Sequence, residues 1–569
     1  MQYTFAIRNH WWLNAGLAGL YFVTTKDALR EQKEKLGVSI IQDHSSLTFQ
    51  AESIDDLRSF LNACYEYIVG LYWNISNANQ KERQELVIYN QERDELQLAP
   101  KRMPIPPIQL VIGARSWKAE GENYKDLSED MKKKVDDFLK QTGRKLWGKD
   151  ERLLYSLPVC HDTEIKILQT GKSKKRVSVC CMCGREDTET YEIAQPIYLL
   201  FASNSASRSF HSQGQKPDRV CWECNFLSKF AHECIHYKVD DKTMMIISPN
   251  SSNLTHLVTL QEKMGGYSSL RAFDDQYFMK NIGISKDELL YYAKKPYELL
   301  WAFYYEAYKL LKEELDAQGI ENINEYTQML LGDILQAPTE IILVSLSDKG
   351  KTFITQDLIV YQDTAYIFRL FSYMVEQDVK LKQIFNDLYD PQQTKNENKT
   401  LKRNQILKKV LQKYSILQDV EEFCFHKITT SNGFIRVSNM VLFVKEYQLI
   451  IRGDGMTREQ IDVAVNLGKQ IVIQAKKHLQ KEDTDDVRDI KKIKGDLFKL
   501  RKTRTVTDFL NQLNTLQFRY GISVSRFIQE GLISTVDFEE FRAYCLLGAL
   551  NVYNAPIKMD KEVIKDEKS

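Results

Sequence analysis

The chain has 569 residues, with 78 Lys and Arg against 77 Asp and Glu and a formal net charge of +1. That balance excludes a strong overall field for polyanions, so any nucleic-acid binding has to come from local clusters. A hydrophobic content of 43% with 11% aromatics excludes a largely disordered chain, and the length exceeds one simple core, pointing to three or four domains.

Residues 1–170 read as a mixed α/β region. The run 11–23 (WWLNAGLAGLYFV) is apolar, yet it is too short to span a bilayer and ends without a small-residue cleavage signal. It reads as a buried helix, in which Gly16 and Gly19 would let another element approach the backbone. Residues 53–71 read as an amphipathic helix with Ser53 as N-cap and Ile54, Leu57, Leu61, Cys64 and Ile68 at helical spacing. Pro104, Pro106 and Pro107 mark a stiff connection into a short strand at 109–112, and helical spacing resumes at 130–139.

The segment 171–240 carries the chemistry. Two Cys-x-x-Cys pairs occur there, Cys180 with Cys183 and Cys221 with Cys224. Each pair brackets a tight turn that aims both sulfurs at one ion. Four thiolates fill the tetrahedral shell of a structural Zn²⁺ and leave no position open for catalysis. Cys181 can compete as a ligand, and His232, Cys234 and His236 can substitute for one cysteine, although they read more naturally as residues of the following helix or strand. Ten cysteines used this way suit the reducing cytoplasm and not a disulfide framework. A basic run, GKSKKR, opens the segment with Lys172, Lys174, Lys175 and Arg176. Between the cysteine pairs, 203–217 is polar and Ser-rich, with Asn204, Arg208, Gln213, Gln215 and Lys216. Those side chains suit base edges and phosphates, but a solvated excursion accounts for them equally well.

Residues 241–435 read as mainly helical, with a long helix starting after Pro296, a hairpin at 341–353, a helix at 365–374, and a basic-faced helix in LKRNQILKKVLQK. Residues 436–569 read as a C-terminal antiparallel helical bundle with a charged tail. Its apolar faces are Ile461, Ala464, Val465, Gly468, Ile471, Ala475 and Leu479; Val487, Ile490, Ile493, Leu497 and Leu500; Val506, Phe509, Leu513, Leu516 and Tyr520; and Phe538, Phe541, Cys545 and Ala549. The second helix is basic away from its core face, with Lys491, Lys492, Lys494, Lys499, Arg501, Lys502 and Arg504. That row is either a solvated face or a phosphate-tracking one. The fold class is therefore α+β and multidomain, with a zinc-ribbon-like insertion in the N-terminal half.

No Walker A, HExxH, GxSxG or kinase motif is present. His161-Asp162 lacks clear partner histidines. The chain reads as a binding and assembly protein, not an enzyme.

The near-N-terminal RNHWWLNAGLAGLY, the central CCMCG and CWEC, and the C-terminal FRAYCLLGALN, in that order, resemble the large subunit of a type I-B CRISPR effector complex (Cascade), in the branch marked by two CXXC pairs. The resemblance implies a prokaryotic cytoplasmic subunit beside the 5′ handle of a CRISPR RNA. Such a subunit reads the protospacer-adjacent motif in double-stranded target DNA, starts unwinding, holds the displaced strand and recruits a separate helicase-nuclease. Its partners would be the backbone and repeat-processing subunits. Small subunits would come from the same gene, through an internal start at Met456 or Met440. The four cysteines carry over as metal ligands. Rival readings are a metal-dependent nuclease or toxin with a structural zinc ribbon, which needs an acidic catalytic cluster, and a scaffold that packages RNA.

Overall fold

In a computed structural model the protein is α+β, with several small sheets and a helical C-terminal part. The structure describes residues 1–71, 87–98, 116–118, 120–148, 150–156, 159–161, 166–168, 177–193, 197–200, 218–239, 243–263, 293–318, 340–348, 353–395, 398–429, 435–453, 455–480 and 486–554. The chain divides into two compact units: Met1–Lys286 with Glu306–Ala365, and Asp287–Tyr305 with Tyr366–Ser569. Among the described residues no helix is long and apolar enough to cross a membrane.

The first unit begins with β1 (Gln2–Ala6), α1 (Trp11–Thr24), β2 (Ser39–Gln42), β3 (Ser46–Gln50) and α2 (Ile54–Leu71). The three strands form an antiparallel sheet in the order β1-β3-β2. Residues 12–20 of α1 are all buried, which is why its sequence lacks a polar face. Within residues 12–20 its one polar side chain, Asn14, is 2% exposed and satisfied by Arg8 N at 2.7 Å and Asn250 Oδ1 at 3.0 Å. Ser53 caps α2 by accepting from Asp56 N at 3.1 Å.

A small sheet follows, ordered β5-β4-β7-β6, from β4 (Val87–Asn90), β5 (Glu95–Leu98), β6 (Gly121–Asn123) and β7 (Arg152–Leu154). It packs on α3 (Glu129–Thr142) around Val87, Val135 and Leu153. Ser128 caps α3, and Gly143 ends it at φ +65°. The expected strand at 109–112 lies outside the described residues.

The cysteine segment contributes β8 (Ser178–Val179), β9 (Glu186–Asp187), β10 (Thr190–Glu192), β11 (Arg219–Cys221) and α4 (Trp222–Phe230). After it come β12 (His236–Val239), β13 (Thr243–Asn250), α5 (Leu254–Lys263), α6 (Pro296–Gln318), β14 (Glu340–Asp348) and β15 (Phe353–Tyr361). Strands β12-β13-β14-β15 make an antiparallel sheet in that order. The sequence places a hairpin at 341–353, but the second strand starts only at Phe353 and runs to Tyr361. The strand β13 escapes the sequence reading because residues 244–249 are buried without a break and, paired on both edges, the strand shows no alternation.

The division between units falls inside α6, after Tyr305. The second unit adds α7 (Thr364–Glu376), α8 (Leu381–Asp387), α9 (Leu401–Leu411), α10 (Leu417–Thr429), α11 (Val437–Ile451), α12 (Arg458–Gln480), α13 (Asp486–Arg501), α14 (Val506–Tyr520) and α15 (Phe538–Tyr553). The expected apolar faces are buried: Ile461, Ala464, Val465, Gly468, Ile471, Ala475 and Leu479 all turn inward, as do Ile493, Leu497, Leu500, Phe509, Leu513, Leu516, Tyr520, Phe541, Cys545 and Ala549. Val506 and Phe538 are half-buried. The Val487 and Ile490 side chains lie outside the described set. At the start of α6, Trp301 packs against Phe371 at 4.7 Å and Phe443 at 6.4 Å between ring centres. The α9 helix is not basic on its outside alone. Arg403 points inward, fully buried, and bonds Glu298 at 2.9 Å and Phe385 O at 3.2 Å.

Candidate metal centre

The first cysteine pair sits on a short antiparallel hairpin. Strands β8 and β9 pair, Cys180 N donates to Arg185 O at 2.8 Å, and Gly184 N returns to Cys180 O at 2.8 Å. Closing this knuckle needs a left-handed residue, which Gly184 supplies at φ +72°. The second pair starts where β11 becomes α4. Cys221 is the N-cap, and its sulfur accepts from Cys224 N at 3.5 Å. The two knuckles are laced together by Cys181 N donating to Arg219 O at 2.9 Å.

This lacing gathers the sulfurs of Cys180, Cys183, Cys221 and Cys224 within 4.8 Å of one another. Cys183 and Cys221 stand 3.7 Å apart. A tetrahedral shell with metal–sulfur bonds of about 2.3 Å sets sulfurs about 3.8 Å apart, so the cluster has the size for one ion. Cys180, Cys221 and Cys224 are buried and Cys183 is half-buried. Such a donor set can hold a metal ion and offers no open coordination position.

The thiols affect one another strongly. Hydrogen bonds from Cys183, then Cys221 and Cys224, hold the Cys180 thiol far below its usual range. Cys224 is pushed far up, because it donates to Cys180, Cys183 and Cys221 and burial adds to the effect. A central cation removes that conflict by taking the place of the protons.

Cys181 is exposed and outside the cluster. His232 falls in a 3-10 turn, and His236 starts β12. Both are buried and, like Cys234, outside the cluster, as expected of residues of the following elements. Burial pushes His232 down to about 3 and His236 down to about 4.

The second pair also carries an acid that sequence reading overlooked. Glu223 is 1% exposed. Its carboxylate accepts from Tyr3 Oη at 2.7 Å, from Arg185 Nη1 at 2.7 Å, and from Arg8. One side chain therefore ties β1, the loop before α1, the first knuckle and the second knuckle together. Burial, then the Glu223 charge, raises the Tyr3 phenol well above its usual range. The signal was available: an acid inside CWEC, in the first turn of a mostly apolar helix, needs cationic partners if it is buried.

Behind the centre, α4 lies on the glycine stripe of α1. A Cβ at Gly16 would stand 2.2 Å from Leu227 O, and one at Gly19 would stand 2.0 Å from Phe230 O. The close approach expected at these two glycines is met by α4, the helix that carries Cys224.

The other candidate residues divide sharply. Lys172, Lys174, Lys175, Arg176, Asn204, Arg208, Gln213, Gln215 and Lys216 lie outside the described residues, as does Asp162 of the His161-Asp162 pair. On and just after α13, Lys491, Lys492, Lys499, Lys502 and Arg504 are exposed and Lys494 is half-buried. Arg501 turns into the unit, bonding Glu421 at 2.9 and 3.2 Å and stacking over Phe425 at 4.8 Å. Met440 is buried within α11, and Met456 is 6% exposed just before α12.

No family model matches this chain, and no curated protein matches it.

Proposed function

We propose that the chain is a non-catalytic, nucleic-acid-binding subunit: the large subunit of a type I-B CRISPR RNA-guided surveillance complex, with Zn²⁺ as its structural ion. The observation that carries the reading is the closed four-sulfur centre, locked from behind by Glu223 and the α1 glycines. A site with no open coordination position folds a recognition element and does not run a reaction. It pins together the two knuckles, whose cysteine pairs flank the polar stretch 203–217 in sequence. In a guide-directed complex base pairing reads the sequence, so the protein has only to read a few flanking base pairs and the backbone. A near-neutral chain with local basic rows, such as the one on α13, suits that division of labour.

In this reading the complex contains CRISPR RNA, target double-stranded DNA, backbone and repeat-processing subunits, and small subunits. A helicase-nuclease is recruited on target binding. The deciding experiment is binding of a target duplex with randomised flanks, at fixed salt, by the guide-loaded complex with and without this chain. A flank preference that appears only with the chain supports the reading. Flank-independent binding in both samples overturns it.

A further inference from the structure

The second unit contains a cleft of roughly 230 Å³ between α10, α13 and α15, lined by Gln418, Glu421, Phe498, Arg501, Lys502, Arg542, Ala543 and Leu546. Its charges do not balance. Arg501, Lys502 and Arg542 are three cations, and Glu421 is the one acid among the lining residues. Glu421 is 4% exposed and is taken by the Arg501 guanidinium through Nε and Nη2. Arg542 is anchored by Nη1 to Thr503 O, and its guanidinium stands 5.5 Å over the Phe538 ring.

Two guanidiniums are therefore anchored around the cleft, with the exposed Lys502 beside them in its lining. Holding like charges together beside a partly dry wall is unfavourable unless an anion joins them. A planar guanidinium already fixed by a carboxylate, a backbone carbonyl or an aromatic face is preorganised to present its remaining N–H groups to phosphate oxygens. Burial raises the Glu421 carboxyl and the bonded Arg501 guanidinium lowers it, so the acid is committed to Arg501, and Arg542 and Lys502 are the cations left to face the cleft.

We infer that this cleft is a phosphate-binding site, in which Arg542 and Lys502 grip a phosphoryl group and Glu421 positions Arg501 beside it. The group is either a backbone phosphate of a single-stranded nucleic acid or a free phosphate ligand. The inference rests on the nucleic-acid reading only for the first of these sources. It takes Arg501 and Lys502 from the end of the basic row of α13 and adds Arg542 of α15, which that row does not contain.

The test uses the full chain in two assays: salt-dependent anisotropy with a fluorescein-labelled oligothymidylate, and thermal unfolding with inorganic pyrophosphate. Variants are Lys502→Gln, at an exposed position, Arg542→Gln, and Lys477→Gln as a control at an exposed position outside both the cleft and the basic row of α13. Circular dichroism checks that each variant is folded. For a nucleic-acid phosphate, Lys502→Gln and Arg542→Gln should each weaken oligothymidylate binding several-fold and flatten the slope of log K against log salt by roughly 0.7 per contact. For a free ligand, pyrophosphate should raise the melting temperature of the wild type and not of Arg542→Gln, with no oligothymidylate binding; the cleft then stands and the nucleic-acid reading of this unit falls. Oligothymidylate binding that both cleft variants leave unchanged, without a pyrophosphate effect, overturns the cleft and spares the reading. No response to either probe overturns both.

Discussion

Gly468 on α12 and Gly548 on α15 lie against each other's backbones. A Cβ at Gly468 would stand 1.8 Å from Cys545 O, and one at Gly548 would stand 2.1 Å from Val465 O. Neither carbonyl can be moved without moving a helix. Gly468→Ala is therefore expected to push α12 and α15 apart and cost about 2 kcal/mol or more, read as a lower urea midpoint. Gly495→Ala on α13, where an added Cβ meets nothing within 4 Å, should instead stabilise by up to about 1 kcal/mol. Equal midpoints for the two variants would refute this account of the crossing.

Removing a ligand should remove the ion. Cys221→Ser is expected to lower the metal content measured by elemental analysis of the purified chain and to lower its melting temperature. A strong chelator should do the same to the wild type. Acidification works in the same direction, since protons and the ion compete for the same sulfurs. Full metal content in Cys221→Ser would sink the four-ligand assignment.

Glu223→Gln should damage the fold without touching a ligand. It leaves Arg8, with a side chain 15% exposed, facing a neutral amide, whereas Arg185 is 49% exposed and can turn to water. The expected loss is about 2–3 kcal/mol, mostly from Arg8, below the range for a fully buried pair. Arg185→Gln should cost much less. If both variants lose the same stability, Glu223 is not the tie described here.

The Glu298–Arg403 pair is fully buried on both sides at 2.9 Å. Arg403→Leu alone should cost about 3–5 kcal/mol, because it strands a buried carboxylate. The double variant Glu298→Leu/Arg403→Met should recover much of that loss. A double variant as unstable as the single one would mean that the remaining bonds, such as Arg403 to Phe385 O and Glu298 to the Lys294 and Lys295 amides, matter more than the charges.

Charge reversal at Lys491, Lys492 and Lys494 should weaken target binding by the assembled complex and flatten its salt dependence, while flank preference stays the same. Unchanged affinity and slope would leave these lysines as an ordinary solvated face.

Much of this was legible in the sequence. The 3.6-residue spacing in 461–479 gave the buried face of α12, because one apolar side of a helix leaves a periodic trace. The four cysteines foretold the sulfur cluster that can hold a metal ion, since thiolate spacing is local. Gly16 and Gly19 predicted a close neighbour, but nothing in the stripe says that the neighbour is α4, more than 200 residues on. Glu223 and Arg403 escaped for the same reason. A charge in a sequence looks solvent-facing until its distant partner is known, and Tyr3 and Glu223 are 220 positions apart. The basic run of α13 looked uniform, yet Arg501 is committed to Glu421, 80 residues away.

The Glu223 tie also sets an order of events on the ribosome. Helix α1 is made early, but the carbonyls that its glycines meet, at Leu227 and Phe230, emerge only after some two hundred further residues. At about 5–20 residues per second the nascent chain would carry this apolar helix without those two contacts for roughly ten to forty seconds. During that interval WWLNAGLAGLYFV is a natural target for a holding chaperone. Its release would be timed by synthesis of the second cysteine pair.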